Sequence, residues 1–476
     1  MYAFLFFHVD DMLLLVTVVR GSSMSAVDHP GPGDLPLPPG LNGHPIVENV
    51  FPVYRDHFGF YDSLADYGDV VRDRIGRTPF IALLHPDPIE EVLVCQPEWF
   101  RRWGFAESGL DFAPEGLFTV TGAQWRRQGQ TMYSAFTVEK LQEFADTIWS
   151  YAADEVDGWE DGDVIDLNRI FEALTFRILT KTLLDIDVAT SADSLPLMTV
   201  VETINELAGP QRIVTRHIPE WVPTPNRRRF SKSTRAYRQL VDQLIEERKQ
   251  ATEQPDDLLS ILQTSTGPDG SDLSDVEVRD NFLNFMTAGY DTTALALAYT
   301  CKLLSNHPAV ADRIADEMTD LGSEDARRPP GVDCLDETQR VLKESLRLYP
   351  PAFKIYRAAT RETTIAGYHI PRDAVITMPQ FRLHRDARWF TDPDVFRPDR
   401  WTEEFEKSLP KFSYFPFGGG PLHCVGMRFA TIEIALVIAK VAATVRLEPV
   451  NDPEPDPSVG VSLQPAEPIR VRIHRR

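Results

Sequence analysis

The sequence is poor in cysteine. Its 476 residues include four cysteines, Cys95, Cys301, Cys334 and Cys424, and no two of them form a CxxC pair. Zinc sites and disulfide-rich small domains need closely spaced cysteines, so the spacing indicates neither class of protein. A chain without a disulfide framework fits a reducing compartment, and we predict a cytoplasmic location.

The sequence is also short of positive charge. Lysine and arginine number 49 against 71 aspartates and glutamates, a net charge of −22, and only ten residues are lysines. Such acidity argues against nucleic acid or an anionic membrane as a partner. Because salt screens self-repulsion, an acidic, lysine-poor surface suits a protein that works in concentrated salt. We therefore hypothesise a halophilic source, and the alternative is simply an acidic soluble enzyme.

No apolar run is long enough to span a bilayer without interruption. Residues 2–7 and 12–19 are apolar, but Asp10 and Asp11 separate them, and a spanning helix needs about 20 apolar residues. We interpret residues 1–40 as a leader, with Met24 as an alternative start, followed by a Pro-rich extended segment over 30–40. Residues 41–476 contain no recognisable internal linker and no repeat. Membrane anchorage is the less favoured interpretation.

The most informative stretch is residues 417–426, which read F-G-G-G-P-L-H-C-V-G. Consecutive glycines allow the backbone to approach a flat ligand closely. Cys424 precedes an apolar helical run, and a helix N-terminus favours the thiolate form of cysteine. This combination suggests ligation of haem iron, whereas the plainer alternative is a buried cysteine that follows an ordinary loop.

Three further motifs lie upstream in a fixed order: E-S-L-R at 344–347, A-G-Y-D-T-T at 288–293 and F-R-P-D-R-W at 396–401. Together with the cysteine loop they make the chain beyond about residue 40 resemble the cytochrome P-450 family. The resemblance implies that residues 41–476 form a single catalytic domain with a mainly α fold and a small β-sheet region. It also implies a haem b cofactor whose iron is bound by Cys424.

The resemblance assigns a catalytic role to Asp291 and Thr292, which would hold a water and relay protons to bound oxygen. Their alternatives are a solvated carboxylate and a hydroxyl bonded back to its own helix. Ala288 and Gly289 would border the haem, and the glycine would leave room for a ligand. Glu344, Arg347 and Arg400 would form a buried structural network.

Further residues are implied in haem binding, namely Phe417, Gly418, Gly420, Gly426, Trp125 and Arg357. The sequence departs from the family pattern at two positions where a cation usually binds a haem propionate, because Gly129 and Leu422 stand there. We hypothesise that His423 or Arg126 replaces one of these cations. Weaker haem retention than in relatives with both cations is the consequence that we predict.

The resemblance implies an apolar substrate pocket, walled in part by the aromatic segment at 99–118, with a lid over 208–229. Its predicted wall contains Trp103, Phe105, Phe112, Phe285 and Phe353. The aromatic segment could equally be a packed surface loop. The substrate class stays open among fatty acids, terpenoids and steroids.

These observations predict a monomeric haem-thiolate monooxygenase that inserts one oxygen atom of O₂ into an apolar molecule. No second redox domain fits in this length, so we expect electrons from a separate ferredoxin and its reductase. Two alternatives are a peroxide-driven oxygenase on the same fold and a non-enzymatic haem protein that acts as a sensor or carrier.

Overall fold

The computed structural model describes residues 3–9, 12–18, 35–41, 55–75, 78–103, 113–135, 137–187, 224–250, 257–264, 271–322, 329–451 and 456–476. The predicted pocket residues Phe105 and Phe112 lie outside these ranges, as does most of the predicted lid. The described helices are α1 His57–Leu64, α2 Pro86–Glu90, α3 Gly122–Ala135, α4 Val138–Asp157, α5 Leu167–Leu184, α6 Pro225–Gln250, α7 Leu258–Thr264, α8 Asp275–Asn306, α9 Pro308–Asp320, α10 Asp336–Leu348, α11 Gln380–Leu383, α12 Glu403–Ser408 and α13 Met427–Thr444.

The long helix α8 forms the centre of the main core. A capping box opens it, because the Ser274 side chain accepts from the Glu277 N–H while the Glu277 side chain accepts from the Ser274 N–H. The helix ends at Asn306, two residues before Pro308, as the sequence predicts. Around it pack α5, α6, α10 and α13, and most of its second half is buried.

Helix α13 follows the cysteine loop and is hydrophobic on nearly all sides. Its residues from Ile434 to Ala442 are buried against α4, α9 and α8. A helix that is apolar all round belongs in the interior of a large domain. The cysteine loop is therefore attached directly to one of the most buried elements of the protein.

The β-structure is small compared with the helical part of the chain. The strands are β1 Ala3–Val9, β2 Met12–Val18, β3 Val70–Ile75, β4 Thr78–Leu83, β5 Phe100–Arg102, β6 Val164–Asp166, β7 Ile355–Ala359, β8 Thr363–Ile365, β9 Tyr368–Ile370, β10 Val375–Met378, β11 Val445–Pro449, β12 Pro457–Val459, β13 Leu463–Pro465 and β14 Arg470–Arg475. The largest sheet has the order β3-β4-β10-β7-β5, with only β4 and β10 parallel. A three-stranded sheet has the order β11-β14-β6.

The remaining strands pair as the hairpins β1-β2, β8-β9 and β12-β13. Among the described residues, no helix combines the length and the hydropathy that a bilayer-spanning segment requires. The architecture agrees with the predicted fold class, in which helices dominate and the sheets are minor.

Candidate active site

The cysteine loop is a tight turn that depends on its glycines. Gly418 and Gly420 have φ values of 75° and 66°, a region that L side chains rarely adopt. A Cβ on Gly420 would lie 1.8 Å from the carbonyl oxygen of Leu93. The Cys424 N–H closes the turn by donating to the Phe417 carbonyl at 2.9 Å. These positions hold the backbone that carries the thiol.

Cys424 lies directly before α13, whose N-cap is Gly426. Burial holds the pKa of the Cys424 thiol above its ordinary value, and the Gly426 N–H and the positive charge of Arg102 offset only part of this rise. The thiol nevertheless keeps exposed surface. Cys424 is thus surrounded by protein atoms and still accessible, so its thiol lies in a recess. The N-terminus of α13 and the Arg102 guanidinium are next to it.

Two residues of the α8 motif have definite partners. The Thr292 hydroxyl donates to the Ala288 carbonyl at 2.6 Å. Asp291 is buried and accepts hydrogen bonds from Ser462 and from Gln464, the latter at 3.1 Å. The alternative reading of Asp291 as a solvated charge was therefore wrong, because side chains from the β12-β13 hairpin enclose it.

Gly289 has a packing role. A Cβ at this position would meet Leu179 of α5 at 3.2 Å, closer than most real contacts. The glycine thus allows α8 and α5 to approach each other. We had expected the space to serve a ligand, but the nearest atoms belong to the neighbouring helix.

Two arginines face each other across β5 and β7, where the half-buried Arg102 is paired with the buried Arg357. Burial lowers the pKa of Arg357 to about 9, with a further contribution from Arg102. Burial also lowers the pKa of Arg102 to about 10, although Tyr133 and Cys424 oppose the effect. Neither arginine forms an ion pair with any described residue. Such cations are costly unless an anion completes the site.

Arg102 was missed in the sequence because β5 is only three residues long and its partner strand is distant in the chain. Its guanidinium donates to the Leu117 carbonyl at 2.6 Å and to the Leu422 carbonyl at 3.3 Å. The second bond joins it to the cysteine loop. A third polar group in need of a partner is the indole N–H of Trp125, which is buried and unbonded within the described chain.

His423 is bound within the protein. Its ring stacks on Tyr133 with 5.4 Å between the centroids, and Nδ1 lies 3.0 Å from the Gly420 carbonyl oxygen. At the other departure from the family pattern, a Cβ on Gly129 would contact Trp125 at 3.7 Å. Gly129 is therefore next to the indole of Trp125, whose N–H has no hydrogen-bond partner among the described residues.

The predicted pocket aromatics divide between two surroundings. Phe285 is half-buried against the main core, as is Phe417, which was predicted to contact the haem and not the substrate. Phe353 is buried within the same core and makes an edge contact with His57 of α1. Trp103 contacts Tyr356 edge to face, with 5.2 Å between ring centroids. Trp103 and Phe353 thus belong to aromatic clusters at the sheet and at α1.

The three residues of the predicted structural network are in contact. Glu344 accepts two hydrogen bonds of 2.9 Å from Arg347 and one of 3.0 Å from Arg400. The Trp401 indole and the Arg397 N–H add two more at 2.9 Å. Burial raises the pKa of Glu344, but these partners outweigh it and hold the pKa below its ordinary value. The carboxylate is fully satisfied and fully buried.

Residues 38–473 match the sequence model of a family described as Cytochrome P450. The chain belongs to the cytochrome P450 family. The resemblance drawn from the four motifs is confirmed, and this cytochrome P450 is a monooxygenase of a family that binds haem b through a cysteine thiolate.

Bacterial relatives cover nearly the whole chain. Cyclooctat-9-en-7-ol 5-monooxygenase of Streptomyces melanosporofaciens is 30% identical over 85% of this chain and 88% of its own. Cyclooctatin synthase of the same organism is 31% identical over 92% and 94%. Pentalenene oxygenase of Streptomyces avermitilis is 28% identical over 91% and 96%.

Solved structures confirm the fold. A cyanobacterial CYP120A1 with bound retinoic acid superposes with a TM-score of 0.82, at 20% identity, over 93% of this chain and all of its own. The haem domain of cytochrome P450DA superposes with a TM-score of 0.81, at 22% identity, over 93% and 98%.

The residues present fit haem b. A carboxylate-bearing cofactor would supply the anions that Arg102 and Arg357 lack and an acceptor for the Trp125 indole N–H. The recessed thiol of Cys424 offers the sulfur ligand. Each of these groups is incompletely satisfied by the described protein atoms.

Proposed function

We propose that this cytochrome P450 oxidises a cyclic terpenoid. Two of the bacterial relatives are named for cyclic compounds on which they act, cyclooctat-9-en-7-ol and pentalenene. These names favour the terpenoid class among the three that the sequence left open. The half-buried Phe285, four residues from Gly289 on α8, is the described aromatic that we assign to the substrate side of the site.

We assign the cofactor contacts from the unsatisfied groups. Cys424 would ligate the iron, while Arg102, Arg357 and Trp125 would bind the propionates; His423, held by Gly420 and Tyr133, would position the loop instead. When bound, haem b supplies the reductive activation of O₂, and thiolate ligation favours O–O cleavage. Phe417, Gly418, Gly420 and Gly426 would shape the loop around the sulfur.

Proton delivery is assigned to Thr292 and Asp291. The Thr292 hydroxyl donates to its own helix, so its lone pairs remain available to accept from a water. Asp291 supplies a buried carboxylate on the preceding residue. A turnover assay tests the pair: Thr292→Ala should release most reducing equivalents as peroxide. Thr287→Ala, which removes the same type of bond one turn earlier, should stay coupled, and equal uncoupling in both variants would reject the assignment.

Electrons would come from a ferredoxin and its reductase, and we propose a monomeric cytoplasmic enzyme made of residues 41–476 as one catalytic domain. The acidity of the surface keeps the halophile hypothesis as a further prediction. Unfolding measured without salt and in molar salt tests it, because a halophilic enzyme gains stability from salt.

The observation that carries the function is the recessed thiol of Cys424 beside Arg102, which, like its strand partner Arg357, forms no ion pair with a described residue. Its test is the spectrum of the reduced, carbon monoxide-bound enzyme. Wild type should show the strongly red-shifted Soret band of thiolate ligation, and Cys424→Ser should lose it. A band at the position of a His-ligated haem in the wild type would reject the proposal. Turnover with cyclic terpenes and with fatty acids then tests the substrate class, and preference for the fatty acids would overturn it.

A further inference from the structure

The segment that precedes the cysteine loop is held by two side chains, Gln380 at the start of α11 and His384 directly after its last residue. The backbone of Phe415 is buried but belongs to neither a helix nor a strand. Its N–H donates to Nε2 of His384 at 3.0 Å, and its carbonyl accepts from the side-chain amide of Gln380. Gln380 and His384 are four residues apart, on one face of a helical turn, and both are fully buried.

This contact continues into the cysteine loop. The Phe415 carbonyl also accepts from the Gly418 N–H at 2.9 Å, and the Phe417 carbonyl accepts from the Cys424 N–H at the same distance. Phe415 is thus bonded to the turn whose other end is the thiol. A displacement of Phe415 would carry the turn, and the sulfur, with it.

The same histidine is bonded to the buried carboxylate network. Its backbone carbonyl accepts from the Arg347 guanidinium at 2.9 Å, and Arg347 in turn pairs with Glu344. One residue therefore joins the network on α10 to the segment that leads into the cysteine loop. Its imidazole must act there as an acceptor, because the group opposite it is an N–H.

We propose that His384 is a positioning residue that, together with Gln380, sets the place of the Cys424 sulfur by holding the backbone of Phe415. The surroundings keep the ring in the state that this role needs. Burial and the positive charges of Arg347 and Arg385 lower the pKa of His384 to about 3, so Nε2 keeps its lone pair at any ordinary working pH. The inference rests on ligation of haem by Cys424.

The experiment compares three variants of the haem-loaded enzyme. His384→Leu removes the acceptor at similar volume, and His384→Gln replaces it with an amide oxygen. Leu383→Ala is the matched control, because Leu383 is equally buried in the same helix and its loss leaves a cavity without removing a bond to the loop. For each, the ratio of red-shifted to ordinary Soret band is measured in the reduced, carbon monoxide-bound state, together with far-ultraviolet circular dichroism.

We expect the ratio to fall about tenfold in His384→Leu with unchanged dichroism, because a buried N–H loses its partner. His384→Gln should stay within about twofold of wild type, since its amide oxygen still accepts one hydrogen bond. Leu383→Ala should lose the red-shifted Soret band only to the extent that its far-ultraviolet circular dichroism shows loss of helix. A wild-type ratio in His384→Leu, or an equal fall in the Gln variant or the control, would overturn the inference.

If His384→Leu does not fold, Gln380→Leu takes its place and should lower the ratio several-fold, since Phe415 keeps one of its two donors; an unchanged ratio would overturn the inference. A wild-type enzyme without the red-shifted band would instead show that Cys424 does not ligate the haem. The two failures are thereby distinguishable.

Discussion

Two groups of buried charge in this protein are bonded in opposite ways. Glu344 has a partner for each carboxylate oxygen, and Arg347 and Arg400 bind both it and backbone carbonyls. Arg357 is buried and Arg102 is half-buried, but each bonds only to carbonyl oxygens among the described residues. The first group is complete within the chain, and the second needs an anion from outside it.

This difference in pairing distinguishes charged residues that stabilise the fold from charged residues that bind a ligand, and it does so before any ligand is considered. A buried ion pair whose hydrogen bonds are all made fixes the elements that carry it, here α10 and the segment around Arg400. A buried cation without an acid keeps its desolvation cost until a ligand binds. We therefore expect mutations in the first group to change folding, and mutations in the second to change haem binding.

The largest effect is expected from Glu344→Gln, which leaves Arg347 and Arg400 as buried charges without their acid. Breaking such a group costs about 3–5 kcal/mol of unfolding free energy, and urea unfolding followed by circular dichroism measures it. Glu337→Gln on the same helix is the control, because its partners Arg313 and Arg340 are each 39% exposed, and it should cost no more than about 1 kcal/mol. Equal losses would contradict the comparison.

A second satisfied carboxylate, Glu277, sharpens the comparison through pH. Burial raises its pKa, but hydrogen bonds from Ser274, Arg127 and neighbouring glutamines bring the pKa to about 2 from an ordinary 4.5. Because the folded pKa is the lower one, the stabilisation is complete above 4.5 and is lost as the pH falls towards 2. It amounts to about 3 kcal/mol.

The measurement for Glu277 is the difference in unfolding free energy between wild type and Glu277→Gln, from neutral pH down to the lowest pH at which both fold. The difference should shrink as the pH falls below 4.5. A difference that is constant with pH would mean that the charge of Glu277 contributes nothing.

The smallest effect on folding is expected from Arg357→Leu. Removing a charge-assisted hydrogen bond to a propionate should speed haem loss about 10- to 100-fold, while the haem-free protein keeps its stability because an uncompensated cation is gone. Transfer of haem to a scavenging protein measures the rate. Arg361→Leu is the control, since Arg361 is exposed and stacks on Trp99. A destabilised haem-free protein with unchanged haem loss would place Arg357 in the structural group.

The sequence predicted the elements that local signals define. Helix α8 begins at a capping box and ends before a proline, and both are signals carried by a few neighbouring residues. Gly418 and Gly420 were recognisable because their backbone conformation excludes other residues. The four motifs identified the family, since each combines a rare residue order with a fixed position in the chain.

Contacts between segments that are distant in the chain could not be predicted from such local signals. The partners of Asp291 come from a hairpin near the C-terminus, and Gly289 proved to face Leu179. Spacing within one segment says which residues share a face, but not which other segment that face meets.

The sequence alone therefore determined the helical class, the cysteine loop and the family, because these follow from residue types over short spans of chain. Only the tertiary structure decided which charges are paired. Arg102 and Arg357 meet through the register of two short strands, and His384 reaches Phe415 through the packing of α11 against an irregular segment. Both contacts join segments that are far apart in the sequence. Their hydrogen bonds therefore depend on how those segments pack in the folded protein, which the residue types within one segment do not specify.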